Sequence, residues 1–207
     1  MKLDKIKKNN NGTILKWGLL VNDNLPIIED ISEVNPRNAQ EVAKRLCAIS
    51  YVIGSAFGAD RNDLVKYLKD YKLWPYVSDK EKALLLSNTL SKQDKINVEW
   101  LSECSQALAW SLGMVELDPF KHCDDDLVDK IPLLDDPSEF ISVAYLRPID
   151  DIQYQSDLLY RLHWYARKCN LENIKCEISL STIAERRKAI DWIYGTDKNW
   201  DHISLDT

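Results

Sequence analysis

A chain of 207 residues with 45% hydrophobic and 29% charged side chains has the balance of an ordinary globular protein. At that length one core can bury about 70% of the unfolded surface, so no disulfide or metal staple is needed. The net charge of −6 argues against a nucleic-acid binder, because such proteins present a basic face to phosphate.

Nowhere does the chain approach the roughly 18 uncharged apolar residues of a membrane span. The basic start, MKLDKIKKNNNGT, is followed by no signal-peptide core, and neither end carries a lipidation motif. A cytoplasmic protein away from membranes is therefore expected. The cysteines (Cys47, Cys104, Cys123, Cys169 and Cys176) are odd in number and form no CxxC pair, which points to free thiols and away from a zinc ribbon.

Residues 1–34 read as an N-terminal helix or extended arm, with Leu19–Ile28 as its extended part. Asn35-Pro36 has the form of an N-cap followed by proline at the first helical position. Val42, Leu46, Ile49, Ile53 and Phe57 then recur at three- and four-residue steps, predicting a helix that ends near Gly58. Asp60 opens a second helix that stops before Pro75. Ser78-Asp79-Lys80-Glu81 is a capping box for a third.

Ser91–Leu112 predicts a long helix closed by Gly113 in the left-handed conformation. Pro119, Pro132, Pro137 and Pro148 break the next stretch into one or two short helices and loops. Pro148 then starts a helix running to about residue 170, and a last helix covers Ser181–Tyr194 and ends at Gly195. The fold class is mainly α: one domain over residues 1–207, a bundle of about six to eight helices, with at most a short extended N-terminal segment.

Chemistry-bearing patterns are sparse. There is no GxSxG elbow and no Gly-rich phosphate cradle, so no cofactor is expected. His122-Cys123-Asp124-Asp125-Asp126 is rich in ligand types, but neighbours on a chain rarely converge on one ion. It reads as an acidic loop capping the following short helix, with no metal. Its surroundings are strongly acidic. Glu116, Asp118, Asp124, Asp125, Asp126, Asp129, Asp135, Asp136, Glu139, Asp150, Asp151 and Asp157 are opposed only by Lys121, Lys130 and Arg147. Such a stretch is a solvated surface or a docking face for a basic protein.

The final third concentrates ionisable and aromatic residues. Asp157 and Arg161 are four apart on one helix and can pair. Tyr160, His163 and Arg167 share a neighbouring face, and an arginine one turn away favours a neutral His163. Glu185-Arg186-Arg187-Lys188 offers arginines to carboxylates such as Glu103, Asp157 and those of the tail. Trp100, Trp110, Trp164 and Trp192 fall at core positions of helices. Trp17, Trp74 and Trp200 sit at element ends, where the indole N–H can stay wet.

These residues also carry a family resemblance. Trp100-x-x-Glu103 with Ala109-Trp-Ser-Leu-Gly113 resembles a W-x-x-E…W-A-L-G helix. Leu146-Arg147-Pro148 and Asp157-Leu-Leu-Tyr-Arg-Leu-His-Trp164 resemble L-R-P and L-x-R-x-H-W blocks, and Glu185-Arg186-Arg187-x-Ala189-x-x-Trp192 resembles an E-R-x-x-A-L-N-W helix. Trp200-Asp201-x-Ile203-x-x-Asp206-Thr207 resembles a W-D-x-V-x-x-D-T ending. Together they resemble the uncharacterised bacterial domain-of-unknown-function family numbered four-two-seven-two, from about Pro36 onward. Asp191 stands where that family usually has asparagine, and Leu101 where arginine is common. The resemblance implies a mostly helical bacterial protein and a shared residue pattern, but no activity.

Two functional readings follow. The first is a non-enzymatic binding protein with an acidic docking face over residues 116–157, in one form an immunity- or antitoxin-like protein that blocks a basic toxin. The alternative is a small-ligand binder or enzyme using a C-terminal pocket. Glu103, Arg161, His163, Glu185, Arg186, Trp200, Asp201 and Asp206 are its candidate ligand-binding residues, with His163 as acid/base.

Overall fold

The computed structural model describes residues 3–207. Among them are eight α-helices and no β-strand. In chain order these are α1 (Leu3–Lys16), α2 (Ala39–Gly54), α3 (Arg61–Asp70), α4 (Asp79–Leu86), α5 (Lys92–Ser111), α6 (Ser138–Ser142), α7 (Ile149–Leu171) and α8 (Leu180–Tyr194). The bundle is a row. α5 packs against α2 on one side and α8 on the other, α7 lies outside α8, and α1 lies outside α7. α3 and α6 pack on α2, and α4 packs on α3.

The central helices are apolar or small almost all the way round, the pattern of a helix buried on every side. In α2 every residue from 45 to 52 is buried, and in α5 every residue from 103 to 111. Leu46 and Leu108 are completely excluded from water, each such burial stabilising the fold by about 1.5–3 kcal/mol. Capping boxes at Asn38/Glu41, Ser78/Glu81 and Ser91/Asp94 start α2, α4 and α5. Gly113 and Gly195 adopt positive φ after α5 and α8, as expected of left-handed caps.

Some boundaries differ from the sequence expectation, each for a local reason. Asn35-Pro36 does not cap α2, because its backbone is committed elsewhere: Asn35 N–H donates to the Gly195 carbonyl (3.3 Å) and Arg37 N–H to that of Ile193 (2.9 Å). The helix begins only once the chain has cleared the end of α8, at the Asn38 cap. It ends at Gly54 rather than near Gly58, where the Ser55 hydroxyl takes the Val52 carbonyl (2.7 Å).

Residues 3–34 combine both expected forms, since α1 is followed by an irregular arm with a 3-10 turn at Ile31–Glu33. Leu19–Ile28 finds no strand partner. Side chains of α1 occupy its polar groups instead: Lys7 Nζ donates to the carbonyls of Asp23 and Leu25 (2.6 Å each), and Asn11 donates to the Asp23 carboxylate (2.8 Å).

The crossing at Gly195 makes a direct prediction. Gly195 has φ +90°, and a Cβ built on it would meet the Asn35 carbonyl oxygen at 2.1 Å. Gly195→Ala should destabilise the protein by at least ~2 kcal/mol, read as a lower urea midpoint, because backbone on both sides must move. Gly12 has open space around it, so Gly12→Ala should leave the midpoint unchanged or raise it slightly.

Candidate functional site

The candidate residues do not share one cavity. Arg161 is buried in a two-pronged pair with Asp157 (Nε–Oδ2 2.8 Å, Nη2–Oδ1 2.7 Å), and Asn10 of α1 donates to the same carboxylate (2.8 Å). Asp157 is therefore an internal anchor and not part of the acidic surface. Glu185 accepts from the Cys104 thiol (3.1 Å) where α5 meets α8.

Asp201 accepts from the Lys80 N–H at the start of α4 (3.0 Å). Burial acts to raise its carboxyl. The Lys80 and Ser78 hydrogen bonds and the Lys188 charge outweigh that and hold it below its ordinary value. Trp200 is buried beneath the Arg45 guanidinium, which lies 3.8 Å from its ring centroid. Its indole N–H is sealed without a partner, contrary to the expectation that it stays wet.

Glu103 and Arg186 do come together, beside a large apolar-walled cavity that Glu103 helps to line. Glu103 on α5 takes Arg186 Nε on α8 at 2.9 Å. Arg186 then reaches out with its other nitrogens to the carbonyls of Asp118 (2.6 Å) and Lys121 (2.9 Å). The second Glu103 oxygen receives the Cys123 N–H (3.2 Å) and faces His122 Nδ1 (3.1 Å). Gln106 continues the seam, donating to the Asp124 carboxylate (3.0 Å) and accepting the Asp124 N–H (3.1 Å). Two buried side chains of α5 and one of α8 thus hold the acidic loop in place.

The loop, α2 and α5 enclose a cleft of about 840 Å³. Ile53, Ile96, Trp100, Leu127, Ile131 and Leu133 give it apolar walls, and Phe57 and Val128 stand at its edge, 75% and 52% exposed. Glu99, Glu103, Asp124 and Asp125 are its charged lining residues, and no lysine or arginine lines it. The Cys123 thiol is pushed up to about 12, first by burial and then by Glu103, so it stays a neutral thiol there.

The run His122–Asp126 does not converge on a point: His122 turns to Glu103 and Asp124 to Gln106. Asp126 makes no side-chain cap on the 3-10 turn after it, unlike the capping loop expected. Among the described residues no group of three His, Cys, Asp or Glu side chains is placed to hold a metal ion. None of their helices is long and apolar enough to cross a membrane.

His163 has a partner that the expected pocket lacked. Arg187 Nη1 donates to its Nδ1 (2.9 Å), so the imidazole is neutral with its proton on Nε2. Burial, then the charges of Arg187 and Arg167, lowers its pKa to about 4. A ring held that way is not an acid/base near neutrality, which corrects that expectation. Arg187 also donates Nε to Asp191 Oδ2 (3.1 Å) and Nη1 to the Asp206 carbonyl (3.1 Å), while Ser156 donates to Asp191 Oδ1 (2.7 Å). Burial raises Asp191 to about 6 even though Arg187 and Ser156 pull it down.

Arg187 and Asp191, four apart on α8, were legible as a possible pair. Tyr160 and Trp100 belong to the blocks that carry the resemblance and Ser156 directly precedes one, but nothing in that text says which cavity they face.

His163 and Asp191 pull stability in opposite directions over one pH window. Asp191 binds its proton more tightly in the fold, so its contribution falls as pH rises from 3.8 towards 6. His163 refuses a proton that the unfolded chain accepts at 6.5, so its contribution falls as pH drops from 6.5 towards 4. The two should nearly cancel in the wild type. In urea titrations at pH 4.5 and 7, His163→Gln should shift the balance towards acid stability by ~2 kcal/mol, and Asp191→Asn should shift it the other way.

A family model described as Domain of unknown function (DUF4272) matches residues 6–203. No curated protein and no solved structure shows significant similarity to the chain. With nearly its whole length matched, including Glu103, Arg186, His163 and Asp201, the chain belongs to the DUF4272 family of proteins of unknown function.

Proposed function

We propose that this protein is a non-enzymatic cytoplasmic binding protein of bacteria, and that its recognition surface is the cleft between α2, α5 and the acidic loop. The observation that carries this reading is the combination of about 840 Å³ of apolar-walled space with four lining carboxylates and no lining lysine or arginine. Apolar pockets with a few convergent polar groups are the usual form of binding sites. Asp125 of the lining is exposed, and so are Asp126, Asp129, Asp135, Asp136 and Glu139 further along the same stretch, with Asp126 paired to Lys130. Glu103 is already neutralised by Arg186, which leaves Glu99, Asp124 and Asp125 to set the potential at the entrance.

The occupant that complements this surface is a basic protein presenting an amphipathic segment. Its apolar side chains would enter between Ile96, Trp100 and Ile131, and its lysines or arginines would meet the rim. An immunity- or antitoxin-like role, in which the acidic face covers the basic active surface of a toxin, is one form of this reading.

Titration with two designed amphipathic peptides, one Lys/Leu and one Glu/Leu, tests it, with Trp100 in the cleft wall as a fluorescent reporter. The Lys/Leu peptide should bind and lose affinity as salt rises, and the Glu/Leu peptide should not bind. Glu99→Lys with Asp125→Lys, both exposed positions, should weaken binding roughly tenfold or more without altering the urea midpoint. Equal affinity for both peptides, or none for either, would sink the proposal.

A further inference from the structure

A second cavity, of about 340 Å³, lies on the opposite side of α8, where α7, the 26–29 segment and the C-terminal tail meet. Its volume is at the small end of the range for ligand pockets. Its lining is polar: Ser156 and Tyr160 come from α7, Arg187 and Asp191 from α8, Glu29 from the arm and Asp206 from the tail. Ser156, Arg187 and Asp191 are all at least nine-tenths buried.

Arg187 is the informative residue. Its Nε and Nη1 are committed to Asp191, His163 and the Asp206 carbonyl. Its Nη2 makes no hydrogen bond to any described residue, yet is not sealed from solvent as the other orphaned buried atoms are. The Tyr160 ring lies 4.9 Å from the guanidinium carbon and covers one face, which leaves the edge of the group available. Tyr160 lines the same cavity, and its hydroxyl makes no hydrogen bond to any described residue. A guanidinium edge beside a free hydroxyl suits a carboxylate.

The rest of the lining selects against a simple anion. Asp191 offsets the Arg187 charge, and Glu29, Asp197 and Asp206 remain around the opening, with His202 the other nitrogen base of the lining. An anion alone would meet this negative rim, and an amine alone would meet Arg187 at the floor. A molecule carrying both charges satisfies both ends.

We propose that this cavity binds a small zwitterion with an excess of positive charge, a basic amino acid being the chemical class. The ligand carboxylate accepts from Arg187 Nη2 and the Tyr160 hydroxyl. The ammonium groups donate to the carboxylates of Glu29 and Asp206. The site is separate from the acidic cleft and does not depend on what occupies that cleft.

Calorimetric titration of the whole protein with L-lysine, L-arginine and L-ornithine, and with cadaverine and glutarate as half-ligands, tests the proposal. At least one basic amino acid should bind in the millimolar range or tighter, with cadaverine and glutarate each roughly tenfold weaker or absent. Tyr160→Phe and Asp206→Asn, at a half-buried and an exposed position, should each cut that affinity severalfold while leaving the fold intact. Glu99→Lys with Asp125→Lys should leave it unchanged. The proposal is overturned if no basic amino acid binds, if cadaverine binds as tightly as lysine, or if Tyr160→Phe and Asp206→Asn bind like the wild type.

Discussion

Four arginines sit inside this protein, and the structure is arranged around neutralising them. Arg45, Arg161, Arg186 and Arg187 are between 1% and 7% exposed, and each meets a buried carboxylate: Glu81, Asp157, Glu103 and Asp191. A charge brought out of water with no partner is strongly unfavourable, and removing one member of such a pair costs about 3–5 kcal/mol. Two of the pairs join different helices, Arg45–Glu81 and Arg186–Glu103, and two lie within one helix and tie in neighbours through further hydrogen bonds. Arg45 joins α2 to α4, where burial would raise Glu81 but the Arg45 charge and hydrogen bonds hold it below its ordinary value. Arg161 and Asp157 gather α1 onto α7 through Asn10. The remaining nitrogens then order the irregular segments, Arg186 taking carbonyls of the acidic loop and Arg187 a carbonyl of the tail.

Both cavities are by-products of that arrangement. The cleft exists because the loop is tied to α5 and α8 at one end by Glu103, Gln106 and Arg186, with apolar residues filling only part of the space beyond. The polar cavity exists because Arg187 needs a carboxylate, an imidazole and a carbonyl around it, and these come from pieces that do not close over it completely. The two spaces differ in character because the loop brings leucines, isoleucine and valine, whereas the tail brings Ser204 and Asp206. α8 separates them and contributes an arginine to the architecture of each.

Much of this was legible from residue order. Helical periodicity, the serine caps of α4 and α5 and the glycines after α5 and α8 mark the helices to within a few residues. The Asp157–Arg161 pair is visible as an i, i+4 spacing. What spacing cannot show is which of two adjacent arginines faces which neighbour. Arg186 and Arg187 point from different faces of α8, towards Glu103 and His163, because successive helical residues are about 100° apart. Nor does local text reveal that Asn35-Pro36 is spent on the end of α8, a contact made by residues 160 positions away in the chain. The placement of Trp200 under Arg45 is of the same kind.

The crossing of the arm over Gly195 bears on how the protein is made. Asn10 meets Asp157 across 147 residues and Arg37 meets Asp197 across 160, so α1 and the arm have few native partners until nearly the whole chain is available. Long-range closures of this kind slow folding, since loop entropy is lost before the contacts form. During synthesis from the N-terminus, α2 to α5 can begin to pack before α8 is made, but the acidic cleft waits for Arg186 of α8, which neutralises Glu103 and holds the loop. The polar cavity, built from residues 26–29 and from residues 196–206, is completed only once that later segment has been made.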